Sequence, residues 1–148
     1  MHTFNNVILL LFLALVQLNL FAESVRLDDS LFRSKIITTQ TKGHAVEVRA
    51  KIKGVQNLYL TVSDAGDSHT CDWADWAYPR LIKANGEETK LTDLNWKSAK
   101  TAWGKINLDK NCGGGSLTIN GKAIDYGIGT HANSVIHYEL PKDHKFVE

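Results

Sequence analysis

Val46, Val48, Ala50 and Ile52 alternate with Glu47, Arg49 and Lys51. A strict period of two turns one set of side chains to a core and the other to water, so this stretch predicts a half-buried strand. Gly54 breaks the pattern, and Leu58, Leu60 and Val62 resume it around Tyr59 and Thr61. Together the two runs predict a hairpin. Short β-rich runs at 24–27, 35–38 and 79–82 predict further strands, and 91–96 and 103–108 are weaker candidates. From Asp64 to Pro79 the alternation dissolves into a stretch rich in Asp and aromatics, which predicts a long loop. Asn85-Gly86 marks a hairpin-type turn, and residues 109–115 are a loop by composition.

Residues 113–141 carry the densest pattern. Leu117 and Ile119 alternate with polar residues, and Asn120-Gly121 supplies the two positive-φ positions of a type I′ turn before Ala123. Gly127 and Gly129 bracket Ile128 and predict a loop whose backbone path a side chain would block. That loop would deliver Thr130, His131, Asn133 and Ser134 as a polar cluster. Val135 to Tyr138 then form a β-rich run that Pro141 ends. Apolar positions nowhere follow a sustained helical period. Short strands at this spacing predict an all-β fold, an antiparallel β-sandwich.

Residues 1–22 contain no Lys, Arg, Asp or Glu, and 7–16 are uninterrupted apolar. A short apolar run ending at Ala22 predicts a secretory signal peptide, an uncleaved anchor being the rival reading. Export would place residues 23–148 outside the cell, in the periplasm or at the cell surface, with no stable membrane insertion after cleavage. Lys and Arg total 17 against 16 Asp and Glu, a formal net charge of +1. Such a balance excludes a general nucleic-acid surface, which needs clustered cations. Cys71 and Cys112 are the only cysteines. In an exported chain they could form one disulfide, closing a loop of roughly 40 residues worth about 3–4 kcal/mol. Two reduced, unconnected thiols are the even alternative.

Catalytic motifs are lacking: there is no G-x-S-x-G, no H-E-x-x-H and no P-loop. Ser116 and Ser134 have no evident base. A glycosidase needs two carboxylates across a deep cleft, which a sandwich this small does not offer. A non-enzyme is expected. Four tryptophans in a small domain suit sugar binding, because aromatic rings stack on pyranose C–H faces while polar groups fix hydroxyls. For Trp73 and Trp76 core or loop anchoring is the better reading. Trp103, beside Gly104, is the platform candidate, and Tyr126 would line the same surface. His131 and Asn133 can both donate and accept hydrogen bonds to hydroxyls; a histidine tied to backbone carbonyls is the competing account. Asp64 and Asp67, with Asp72 and Asp75, could surround a structural calcium ion, or could be turn formers acting through their own backbone. No other cofactor is indicated.

The run GIGTHANSVIHYELP, residues 127–141, resembles the core motif of NPCBM, a carbohydrate-binding module family associated with family 98 glycoside hydrolases and grouped with family 51 modules. LTINGKAIDY before it and LNWKSAKTAW at 94–103 are similar to the strands that open the family's pattern. LYLTVSDAGDSHTCDWADWAYPRL, residues 58–81, resembles its closing part, yet here it comes first. Residues 23–82 thus look like the end of one module, 83–90 like a linker, and 91–148 like a truncated beginning. The resemblance implies a galactose-binding, jelly-roll-like β-sandwich that is either permuted or incomplete. It also implies a glycan of galactose type as ligand and tilts Trp103, Tyr126, His131 and Asn133 toward contact with it. Lectin-like relatives often hold a structural calcium. The alternative is a non-binding structural remnant, or a piece of a larger secreted protein with further modules.

Overall fold

A computed structural model describes residues 30–66, 70–143 and 145–148. The leader expected at 1–22, the strand expected at 24–27, and Asp67 lie outside the described residues. Leu31–Glu148 pack as one unit. Its strands are β1 (Asn57–Val62), β2 (Trp73–Ala77), β3 (Arg80–Ile82), β4 (Glu88–Lys90), β5 (Ser98–Thr101), β6 (Asn107–Leu108), β7 (Thr118–Ile119), β8 (Lys122–Ala123), β9 (Gly127–His131) and β10 (Ser134–Glu139). Single 3-10 turns at Lys42–His44 and Leu91–Asp93 are the helical elements among the described residues. All strand pairs are antiparallel. The fold is the expected all-β sandwich.

Two three-stranded sheets, β1-β10-β5 and β2-β9-β6, enclose the core. β10 shows the alternation that builds it. Ser134, Ile136 and Tyr138 are buried, whereas Val135 and Glu139 are exposed. Leu60, Ile136 and Ala99 lie in one cross-strand row, and Leu58 faces Tyr138 in the next. Ile128 and Trp76 reach the same cluster from the second sheet, with Leu81, Leu91, Leu140 and Phe146 at its rim. Full burial of a side chain such as Ile136 stabilises the fold by about 1.5–3 kcal/mol. Burial pushes the Tyr138 hydroxyl up to about 12.

Residues 127–131 are a buried central strand rather than the expected loop. Gly127 and Gly129 are small because other chain segments press on them, not because they bend: neither has a positive φ. A Cβ on Gly127 would lie 2.5 Å from the Trp76 carbonyl oxygen. A Cβ on Gly129 would overlap the Lys110 carbonyl and the Asn111 backbone, because the 109–117 segment crosses this face of the sheet. The aspartate-rich stretch also departs from expectation. Residues 73–77 pair with β9, Trp73 opposite His131 and Trp76 opposite Ile128.

The strand expected at 46–52 does not form. The Ile52 N–H donates to the Val147 carbonyl at 3.0 Å, and the Val55 N–H donates to that of Ile52 at 2.9 Å, so Ile52 ends in a turn. Val46 and Val48 stay 38% and 45% exposed. The 35–38 run also makes no strand, 91–96 is reduced to the 3-10 turn, and 103–108 to β6. The Asn120-Gly121 turn joins β7 to β8 with φ values of 48° and 75°, as its residues predict. Residues 83–90 form the turn and second strand of the β3–β4 hairpin. The final residues run beside β3, where the Val147 N–H donates to Ile82 at 2.8 Å.

Candidate functional site

Trp73 and Trp103 meet at one end of the β2–β9 pair. Each is 52% exposed. Their ring centroids are 5.9 Å apart with 29° between planes. Carbon contacts form at about 3.5–4 Å, so at that separation the rings are slid past one another and part of each face is open.

The chain fixes both rings from behind. Trp73 opens β2, and its six-membered ring edge packs on Gly113, where a Cβ would lie only 2.8 Å away. Trp103 follows β5 on a pinned loop. The Ala102 N–H donates to the Asn133 carbonyl at 2.9 Å and the Lys105 N–H to that of Cys112 at 3.3 Å. The Thr101 hydroxyl lies 3.0 Å from the His131 carbonyl oxygen and 3.1 Å from that of Trp103. Gly104 takes φ +68° against the Cys112 carbonyl, leaving 2.9 Å for a Cβ, so a side chain there is excluded twice over.

Of the expected site residues, Trp103 is half-exposed beside Trp73. His131 was expected at the solvent; it is 3% exposed. It shares Trp73's face of the sheet but is covered there: its Nδ1 is 2.6 Å from the Ala132 carbonyl oxygen, and its ring lies 5.4 Å from that of Trp103. Asn133 is exposed, but its amide is committed: Oδ1 accepts from the Asp64 N–H at 2.9 Å and Nδ2 donates to the Asp64 carboxylate at 3.2 Å. Tyr126 does not share the surface. It adjoins Tyr78, just beyond the opposite end of β2 from Trp73. One face lies under the Lys90 ammonium, 4.4 Å from the ring centroid, and Tyr78 meets the ring edge-on at 5.1 Å.

Asp64 accepts from the Gly66 N–H as well as from Asn133, a turn-forming role. Among the described residues no three His, Cys, Asp or Glu side chains group to hold a metal, and Asp67 lies outside them. The disulfide is not formed: Cys71 is an exposed free thiol and Cys112 a buried one. Burial raises the Cys112 thiol pKa, and the neighbouring Asp75 carboxylate adds to the rise. Burial likewise raises Asp75, whose Oδ1 has no hydrogen-bond partner among the described residues. Trp73 is the residue that sequence reasoning missed. The signal was parity: in a strand Trp73 and Trp76, three apart, must face opposite sides.

A family model described as the NPCBM/NEW2 domain matches residues 17–82 and 87–148. The chain belongs to this family. NPCBM domains are carbohydrate-binding modules built as β-sandwiches, which agrees with the sheets described above. Comparisons with curated proteins and with solved structures find no match. No helix among the described residues of this NPCBM chain is long and apolar enough to cross a membrane.

Proposed function

We propose that this NPCBM chain is a secreted, non-catalytic module that binds galactose-type glycans through Trp73 and Trp103. The observation that carries the reading is the pair of half-exposed indoles, Trp73 packed on Gly113 and Trp103 on a loop pinned by backbone hydrogen bonds. Indole stacks on the apolar C–H face of a pyranose, and a ring fixed beforehand loses little entropy on binding. Galactose suits such a surface because its axial hydroxyl leaves one ring face as a continuous C–H patch. His131 and Asn133 act behind the platform, as supports for the Trp103 loop.

Affinity gel electrophoresis in galactose-rich polysaccharides tests this. The wild type should be retarded, and Trp103→Ala should weaken binding about tenfold, the value of one lost stacking contact of about 1.4 kcal/mol. Trp103 is half-exposed, so the variant should lose some stability and still melt cooperatively. Retardation of the folded wild type by no glycan, or equal retardation of both forms, overturns the proposal.

A structural role within a larger protein is the second reading. It is favoured by the exposed Leu31, Ile36, Ile37, Val46 and Val48, an apolar stretch that a further module could cover.

A further inference from the structure

Residues 46–52 carry a strand's alternation, yet among the described residues they join no sheet. Ala45 before them is extended, at φ −147° and ψ 156°. Ala50 and Ile52 pack on the core, while Val46 and Val48, in phase with them, stay exposed. The Ile52 N–H is taken by Val147. In a paired strand the N–H groups alternate between two edges, so those of Glu47, Arg49 and Lys51 belong to the other edge. They make no backbone bond among the described residues. An exposed edge of this kind is a template for a further strand.

Register decides which strand fits. In an antiparallel pair, residues directly opposite share a face, so apolar must meet apolar and charge must meet opposite charge. Pairing of the segment with itself, centred on Glu47 or on Arg49, sets a charge against its own copy. Centred on Ala50, it sets Arg49 against Lys51. Centred on Val48, it sets Val48 against Val48, Val46 against Ala50, and Glu47 against Arg49 twice. That register also makes Glu47–Arg49 the hydrogen-bonded pairs and Val48–Val48 the closer pair between them. Arg49 reaches Glu148 at 2.9 Å, an exposed ion pair that water keeps weak enough to exchange.

We propose that residues 45–51 pair antiparallel with the same segment of a second copy of this chain, centred on Val48, and so form a two-fold dimer.

Analytical ultracentrifugation of the full chain tests the proposal. An interface this small binds weakly, so the mass should rise toward that of two chains between about 1 µM and about 1 mM. Glu47→Arg alone, or Arg49→Glu alone, opposes like charges twice and should weaken the dimer about tenfold or more. Combining Glu47→Arg with Arg49→Glu restores opposite charges and should restore the dimer. The bond to Glu148 is lost in both Arg49 variants, so it does not account for the recovery. Glu47 and Arg49 are exposed, so every variant should keep a cooperative melt. A chain that stays monomeric throughout that range overturns the proposal. Association that the single exchanges leave unchanged, or that the combined exchange does not restore, overturns it as well and puts the contact elsewhere.

Discussion

At the scale of single residues, the outer face of β2 carries opposite demands. Trp73 gains from exposure, while two positions on, Asp75 is covered by the segment that crosses Gly129. Covering a carboxylate favours its neutral form, so burial pushes Asp75 above the usual carboxylate range. The sign follows from proton binding. Between its unfolded and folded pKa values the folded state holds more proton than the unfolded one, so stability falls as pH rises through that window. Asp75→Asn removes the charge and keeps the shape. It should stabilise the fold by about 1 kcal/mol at neutral pH, the scale of a buried group lacking a partner. Thermal melts from about pH 4 to about pH 7 should show the gain growing with pH; a constant difference would rule out this account. His131 lies on the same face with a different outcome, because its imidazole meets the Ala132 carbonyl oxygen and the Trp103 ring.

At the scale of elements, what could be read from sequence was whatever depends on neighbours in the chain. The β7–β8 turn follows from Asn120-Gly121 because positive φ is a local need. The alternation in β1 and β10 is likewise local. Residues 46–52 show the limit: their period of two is real, yet whether a strand forms depends on a partner. Among the described residues their one N–H that finds a distant backbone partner, that of Ile52, reaches Val147, almost a hundred residues away. The Gly127-Gly129 spacing has the same origin, since it answers to Trp76 and to Lys110 and Asn111. The site was half legible for this reason. Trp103 could be picked beside its glycine, whereas the facing of Trp73 required knowing that 73–77 is a strand. The two kinds of glycine give a prediction. Gly121→Ala meets open space at φ +75° and should cost only the backbone strain, about 1–2 kcal/mol. Gly129→Ala puts a methyl into the backbone of the crossing segment and should cost about 3 kcal/mol or more. Denaturant midpoints measure both, and equal losses would refute the distinction.

At the scale of the whole molecule, the pairing pattern decides how far the two halves depend on each other. β1 pairs with β10, β2 with β9 and β3 with β4, so among the described residues no two strands before residue 83 pair with one another. Residues 31–82 alone would therefore lose every strand partner that the intact fold gives them. Residues 83–148 would keep β10 with β5, β9 with β6 and the β7–β8 hairpin. Those are two-stranded ribbons, marginal in water, and the apolar face that Trp76, Leu58 and Leu60 cover would be open. Separate expression of 31–82 and 83–148 should give an unstructured first fragment and a second without a cooperative melt by circular dichroism. Mixing them at micromolar concentration should restore a β-type signal, because the broken contacts include the β1–β10, β2–β9 and β3–β4 pairings and the core packing between the sheets. Trp73 comes from the first fragment and Trp103 from the second, so glycan retardation should return only with the mixture. A cooperative melt for 83–148 by itself would mean that its ribbons close a core unaided, and the two stretches matched to the family would then be separate units rather than complementary parts of one sandwich.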